Sequence, residues 1–340
     1  MRIGIDVDSG ERPFYELVSG ALESLEKYKD ISIYFIGRSD RIREYFPQIE
    51  NSDKIFLVDA KEIVYMDESP VIALKKKRDA TVFIGCRMIK DGSLDFFFSP
   101  GNTGATVASS ILTLGMINHI KRPALATFFP RLTEYETMLL DIGANPEATE
   151  ENLYQNAILG LAYYTIIWDK ESPTIGLLNI GSEYSKGDKN VKKAFDLLKN
   201  NPFFIGNVEG YNIFNGSVDI VVCDGFTGNS MLKFAEAMKD YFLSVLKDSF
   251  LSTEKIKNKF LSYALNIFGF IDEQKKNLYD KILPRFYGAA PVLGVKGGVL
   301  VGHGMCGSKD IKNAIDLAYF LYEKKYLQQM NNLVNILFKK

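Results

Sequence analysis

The stretch DIVVCDGFTGNSMLK, Asp219–Lys233, decides how the rest of the chain is read. Ile220, Val221 and Val222 have the character of a short buried strand. Asp224-Gly225-Phe226-Thr227-Gly228 reads as a turn. From Asn229 a helical pattern begins, with Met231, Phe234, Ala235, Met238 and Phe242 on one face. A strand that ends in a Gly-rich turn and opens a helix is a frame for an anion. Glycine admits close backbone approach, and the first helical N–H groups face negative charge. An ordinary capped βα loop has the same layout, so the other units of the chain have to weigh in.

Several do. Asp95–Ser99 reads as a strand that feeds Ser99-Pro100-Gly101-Asn102-Thr103-Gly104-Ala105, and a helix follows through Val107, Ile111, Leu114 and Met116. Thr137–Asp141 runs into Asp141-Ile142-Gly143-Ala144-Asn145. Thr174–Asn179 runs into Ile180–Gly187, a loop whose single lysine is Lys186. Phe204–Glu209, with Asn207, is another strand end. None of these matches the phosphate loop GxxxxGK[ST] or the dinucleotide fingerprint GxGxxG, so ATP and nicotinamide are not inferred. Strands alternating with helices predict an α/β fold, a doubly wound, mostly parallel sheet covered on both faces. In such sheets ligands sit beyond the carboxyl ends of the strands. Asn102, Asn145, Asn179, Asn207 and Asn229, with Asp141 and Asp224, are therefore expected to converge on one rim. Asn and Asp also occur at turns and caps for local reasons, and that reading stays open.

At 340 residues the chain can bury a sizeable core, and no linker or internal repeat divides it, so one domain over 1–340 is expected. The formal net charge is −1, which gives no support to a nucleic-acid binder. Cys86, Cys223 and Cys306 are scattered, with no disulfide framework and no zinc spacing. With only His119 and His303, a histidine-rich metal site is excluded; His303, at a strand end, is the one placed for chemistry. The chain opens on a strand without a signal-peptide pattern, and its longest apolar run, Ala157–Trp168, is too short to span a membrane. A cytoplasmic protein that meets membranes only from the surface is expected.

Two charged regions have double readings. The run Lys75-Lys76-Lys77-Arg78 suits a solvated helix end, and also contact with phosphate or an acidic partner. Between Asn229 and Tyr287 three helical patterns follow one another without strand signals, and residues 240–285 read as a helical insertion. There Ile256, Phe260, Tyr263, Ala264 and Ile267 share a face beside Lys255, Lys257 and Lys259. Such a face lies on an anionic membrane, or packs on its neighbour or a second subunit.

The ordered set of motifs resembles one family, the phosphate acyltransferases (PlsX). The matching stretches are MDESPVIALKKKRDA (Met66–Ala80), SPGNTGA (Ser99–Ala105), RPALA (Arg122–Ala126) and LDIGAN (Leu140–Asn145). They continue with GLLNIGSEYSKG (Gly176–Gly187), FIGNVEG (Phe204–Gly210), DIVVCDGFTGNSMLK, GAAPVLGVKG (Gly288–Gly297) and HGMCGSKDIKNAI (His303–Ile315). The resemblance implies a fold like that of phosphotransacetylases and isocitrate/isopropylmalate dehydrogenases, with a protruding amphipathic helical hairpin around Phe250–Phe270. It implies transfer of a long-chain acyl group from an acyl carrier protein thioester to inorganic phosphate, without a cofactor or metal. The acyl phosphate then goes to a membrane glycerol-3-phosphate acyltransferase for phospholipid synthesis. Family members form homodimers and associate peripherally with membranes. Their carrier protein is acidic, which makes Lys75–Arg78 a candidate contact.

On this basis Gly101, Asn102, Thr103, Gly104, Gly228 and Lys309 are expected to bind phosphate. Asn229, beside Gly228, is expected in the phosphate cradle and among the catalytic residues, Lys186 as a movable cation, and His303 as proton shuttle or oxyanion donor. Asp141, Asn145, Asn179, Asn207 and Asp224 are expected to support the cleft. Cys306, three residues past His303, offers a covalent alternative. The chain departs from the family's DAMGGD-like opening at Ser9 and Glu11, and has Gly307 where an aspartate is usual. Three other readings remain: a short-chain phosphotransacetylase using coenzyme A, a dehydrogenase of related fold, and a non-catalytic membrane-associated scaffold. The dehydrogenase would want a metal-binding carboxylate cluster and a nicotinamide site, neither of which the sequence contains.

Overall fold

Short apolar runs make the strands of one large sheet: β1 (Arg2–Asp6), β2 (Ser32–Gly37), β3 (Ile55–Asp59), β4 (Phe96–Ser99), β5 (Ala124–Phe129), β6 (Thr137–Leu140), β7 (Ile175–Leu178), β8 (Phe204–Val208), β9 (Ile220–Val222), β10 (Ala289–Leu293) and β11 (Gly298–Gly302). The computed structural model describes residues 1–131, 135–253 and 288–339. Strands β4, β6, β9 and β11 are buried at every position, as strands are when helices cover both faces. Their runs, such as Phe96-Phe97-Phe98, lack the polar alternation of a half-exposed strand for that reason.

The strand order is β3-β2-β1-β4-β11-β10-β5-β6-β9-β7-β8. All pairings are parallel except β11–β10, β10–β5 and β5–β6, so the mostly parallel α/β sheet is borne out. The single rim is not. Three antiparallel pairings in a row leave β6, β9, β7 and β8 running opposite to β1, β2, β3, β4 and β11. Loops after β1, β4 and β11 therefore leave one edge of the sheet, and loops after β6, β7, β8 and β9 leave the other. In β10, Ala289 pairs with Gly302 at the end of β11, while Leu293 pairs with Ala124, beside the end of β6. The two sets of carboxyl ends lie at opposite ends of that strand, roughly 14 Å apart along it.

The helices that position the loops are α1 (Phe14–Lys27), α2 (Ser39–Tyr45), α3 (Pro70–Lys76), α4 (Thr81–Lys90), α5 (Thr103–Leu114), α6 (Glu150–Trp168), α7 (Lys189–Leu198), α8 (Asn212–Asn215) and α9 (Gly225–Thr253). Two more, Ser308–Glu323 and Tyr326–Leu337, close the described chain. Helix α6 is buried almost all round, which explains its continuous apolar run. Its start is fixed by a capping box of Thr149 and Asn152.

Helix α9 begins four residues before the expected Asn229. Asp224 makes this possible. Its Oδ1 accepts the Thr227 N–H at 2.8 Å and its Oδ2 accepts the Thr227 hydroxyl at 2.7 Å, a side-chain cap in place of a turn. The helix then runs for 29 residues. The expected hairpin of Phe250–Phe270 beyond Thr253, and most of the 240–285 insertion, lie outside the described residues. Among the described residues no helix is long and apolar enough to cross a membrane.

Candidate active site

The first group of site residues sits where β1, β4 and β11 end. Asp6, the last residue of β1, is wholly buried. It accepts the Thr81 hydroxyl at 2.9 Å and the Ser99 hydroxyl at 2.8 Å, and the backbone N–H groups of Ser9 and Asp8 at 3.2 and 3.3 Å. Burial pushes its carboxyl above the ordinary range, and the four donors pull it back only in part. One buried carboxylate thus holds together the loop after β1, the start of α4 and the end of β4. Ser9 completes the cluster, its hydroxyl 2.9 Å from that of Thr81. A side chain at Gly101 would put its Cβ 2.5 Å from that of Ser9, so the two loops meet only because residue 101 has none.

Asp8 is also nearly buried. It accepts the Arg38 backbone N–H at 2.6 Å and pairs with the guanidinium groups of Arg38 (3.1 Å) and Arg41 (3.3 Å). The sequence marks this loop only by its departures at Ser9 and Glu11 and assigns no part to Asp6 or Asp8. An aspartate closing the apolar strand RIGID was the signal available for its structural part.

Asn102 caps α5. Its Oδ1 accepts the Ala105 N–H at 3.0 Å, and its Nδ2 donates to the carbonyls of Tyr65 (3.2 Å), Met66 (3.3 Å) and Glu68 (3.0 Å). Its carboxamide is occupied by the protein, so Asn102 shapes the site. The N–H groups of Thr103 and Gly104, in the first turn of α5, have no acceptor among the described residues. Gly104 is needed for packing as well, since a Cβ there would meet the Pro70 ring at 2.7 Å.

His303 follows β11, whose Val301 pairs with Ser99 of β4. The next residue, Gly304, accepts the Glu11 N–H at 2.8 Å, and a Cβ on it would lie 3.2 Å from Met66, whose carbonyl Asn102 holds. Thus His303, the Tyr65–Glu68 segment and the start of α5 are neighbours. The His303 imidazole is exposed, and its Nδ1 accepts the Met305 N–H at 3.2 Å. An acceptor Nδ1 leaves the neutral ring's proton on Nε2, which therefore faces outward as a donor. Lys309 is exposed in the first turn of its helix, without a partner among the described residues. At Gly307 a Cβ would lie 2.8 Å from Glu16 Oε2 and 3.2 Å from Arg12 Nη1. The Arg12–Glu16 pair, at 2.9 Å, fills the space an aspartate side chain would need.

The second group belongs to the opposite edge. Asp141 is buried and accepts five N–H donors. Oδ1 takes those of Leu125 (3.0 Å), Gly143 (3.0 Å) and Ala144 (2.9 Å); Oδ2 takes the Asn145 backbone (2.8 Å) and side chain (3.0 Å). Burial raises its carboxyl pKa, against the pull of these bonds. Asn145 also donates to the Pro123 carbonyl at 2.6 Å. Both side chains are fully used in shaping the loop.

Here the expectation for Gly228 is overturned. Its N–H closes the first turn of α9 on the Asp224 carbonyl at 3.0 Å, and the Gly225 N–H is taken by the Asn145 carbonyl at 2.7 Å. With the Thr227 N–H on Asp224 as well, this helix start has little left for an anion. Its glycines serve packing instead. A Cβ at Gly225 would lie 2.7 Å from the Asn145 carbonyl oxygen, and one at Gly228 would overlap the Asp141 carbonyl. Asn229 is half-buried on the helix, 3.9 Å from where a Cβ on Gly143 would sit.

The third group lies beside it at the ends of β7 and β8. Asn179 Oδ1 accepts the Ile180 N–H at 2.8 Å, and Asn207 Nδ2 donates to the Glu183 carbonyl at 3.0 Å. Asn179 Nδ2 and Asn207 Oδ1 are buried without a partner. Lys186 is exposed on this loop, unpaired among the described residues, with Gly187 at φ +86° after it. Among the described residues no three His, Cys, Asp or Glu side chains group as a metal site requires. The basic run is split: Lys77 is held by Glu68 at 2.6 Å and by the Ile63 carbonyl at 2.7 Å, while Lys75, Lys76 and Arg78 are exposed.

The profile of a family described as "Fatty acid synthesis protein" matches residues 1–329. This chain belongs to that family. Family relatives include the phosphate acyltransferase of Dictyoglomus turgidum, 37% identical over 98% of this chain and 99% of its own length. The phosphate acyltransferase of Halothermothrix orenii is 40% identical over 98% and 99% of the two chains. Among solved structures, a phosphotransacetylase from Streptococcus pyogenes aligns over 95% of this chain and 94% of its own, with TM-score 0.60 and 16% identity. A branched-chain phosphotransacylase from Enterococcus faecalis aligns over 94% and 98%, with TM-score 0.57 and 11% identity. At such identities the likeness is one of fold.

Proposed function

We propose that this protein is an acyltransferase that moves an acyl group from an acyl carrier protein thioester to inorganic phosphate, for fatty acid and phospholipid synthesis. One observation carries the reading in this chain's own geometry: two unpaired backbone N–H groups, of Thr103 and Gly104, open a helix beside an exposed imidazole that presents its proton on Nε2. The first two suit a phosphate dianion, and the third suits a carbonyl oxygen that gains charge. A phosphate oxygen attacks the thioester carbon, the C–S bond breaks, and the carrier thiolate leaves and takes up a proton. The imidazole donates to the carbonyl oxygen while the tetrahedral species lasts. Lys309 balances phosphate charge, Lys186 is the movable cation of the second group, and Asn229 is a neutral donor there.

A fold of the isocitrate/isopropylmalate dehydrogenase type, with 1–340 as one catalytic domain, belongs to the same proposal. No cofactor enters the proposed reaction. The exposed residues Phe234, Tyr241 and Val245, at helical spacing on α9, suit a second copy of this chain. A long-chain product suits a peripheral membrane site and delivery to a membrane glycerol-3-phosphate acyltransferase, and a cytoplasmic location belongs to the same proposal. Purified protein, given palmitoyl-carrier protein and phosphate, is expected to form an acyl phosphate that hydroxylamine traps. Acetyl-CoA in place of the carrier tests the short-chain alternative, and no trapped product with either would leave the scaffold reading. His303→Ala is expected to lower kcat by about 10²-fold or more. Lys186→Ala with unchanged turnover would remove that lysine from the scheme.

A further inference from the structure

A groove of about 580 Å³ lies on the outer side of α4 and α5, lined by Arg78, Phe83, Arg87, Lys90, Asp91, Leu112 and Thr113. No part of the scheme above uses it. Its charge is unlike that of the chain as a whole. The formal net charge of all 340 residues is −1, yet residues 75–91 hold six basic side chains against two acidic ones. Of the six, Lys77 is tied down by Glu68 and Arg87 donates to the Arg78 carbonyl at 3.1 Å; all but Lys77 are exposed. Arg87 reaches Asp79 at 3.4 Å, but both ends of that pair lie in solvent, where such contacts hold weakly.

Within this basic surface Leu112 stands 69% exposed on α5, and the buried Phe83 contributes to the lining below. Arginine around an apolar anchor is the composition of a protein-binding surface, since the anchor desolvates and the charges set orientation. The position is informative as well. Helix α5 carries the free N–H groups of Thr103 and Gly104 at one end and Leu112 at the other, roughly 13 Å along the axis.

We propose that this groove docks the acidic acyl carrier protein, the thioester donor, within reach of the reacting centre at the start of α5. The inference rests on the function proposed above and adds where the protein substrate binds. Three features favour a carrier protein here. Its acidic surface complements Arg78, Arg87 and Lys90. The groove lies outside the reacting centre, as a tethered thioester needs. The exposed Leu112 gives an apolar contact that free phosphate would not use.

The test uses the full chain with Arg87→Glu, Lys90→Glu and the double variant, each checked for an unchanged melting curve. Binding of labelled palmitoyl-carrier protein is followed by fluorescence anisotropy, which needs no turnover. Wild type is expected to bind with an affinity that falls as salt rises, and the double variant to bind about tenfold more weakly or worse. In steady state the KM for the carrier substrate rises by a similar factor, while the KM for phosphate and the rate with a carrier-free acyl thioester stay as in wild type. Equal binding by wild type and double variant overturns the proposal, as does equal loss with the carrier-free thioester. If the reversals do not fold, Arg87→Gln with Lys90→Gln is expected to weaken binding in the same direction. Failure of wild type to form acyl phosphate, with salt-sensitive binding intact, overturns the activity and leaves the docking site standing.

Discussion

Cys306 sits three residues past His303, yet it is 2% exposed and its Sγ is directed at the Gly288 carbonyl, 3.8 Å away. Burial pushes its thiol up to about 12, so at neutral pH it is neither a thiolate nor reachable. The folded state favours the protonated form, so its resistance to thiol reagents holds until the pH nears that raised value. Cys306→Ser is expected to keep turnover within about twofold, and alkylation of the native protein at pH 8 to leave Cys306 unlabelled; loss of activity in the variant would restore a covalent step. The polar residues at strand ends were legible in the sequence, but their partners were not. Asp141 could be seen to follow an apolar run, whereas its bond to the Leu125 N–H comes from a neighbouring strand. Asn102 resembles a ligand in sequence and proves to be a clamp, because the carbonyls it holds lie more than thirty residues earlier. Backbone acceptors carry no sequence mark, so these assignments needed the fold.

At the start of α9 the glycines answer to packing. Gly228→Ala would drive a methyl into the Asp141 carbonyl, and the helix would have to lift off the Asp141–Asn145 loop. A loss of about 2–4 kcal/mol is expected, read as a lower urea midpoint with an unchanged slope. The strand–loop–helix units themselves were legible from periodicity, as was the Ser99–Ala105 unit at its observed place. The first turn of α9 was not, because DGFTG has the composition of a turn. Asp224 three residues before Thr227 was the capping signal that separates the two readings. The basic run was visible too. That Arg87 and Lys90 of α4 extend it, and that Leu112 of α5 borders it, depends on how two helices pack and not on any run of sequence.

Strand direction is what the sequence could not supply at the scale of the molecule. Apolar runs such as AAPVL and ALATFF look the same whether they enter a sheet parallel or antiparallel, and β10 and β5 reverse half of it. That half is locked by Asp219, nearly buried, which accepts Lys170 Nζ at 2.8 Å, Arg131 Nη2 at 3.1 Å and the Thr174 N–H at 2.8 Å. Burial alone would raise its pKa, but the bonds from Lys170 and Thr174 outweigh burial and leave it below the ordinary carboxylate value. Its stabilisation is therefore present above the unfolded pKa and is lost as pH falls through the lower folded one. Asp219→Asn is expected to cost about 3–5 kcal/mol at pH 7 by urea unfolding, with the gap to wild type closing in acid; a gap independent of pH would sink this account. The strand order has one more consequence, for synthesis. β10 and β11 emerge from the ribosome after every other strand, yet they take the middle of the sheet, between β4 and β5. Until they arrive, the nascent chain holds two half-built sheets, each with an open apolar edge, one of them Phe96-Phe97-Phe98. The hazard of misassembly is thus greatest while the chain is nearly made, and it ends only when the closing strands slot between the halves.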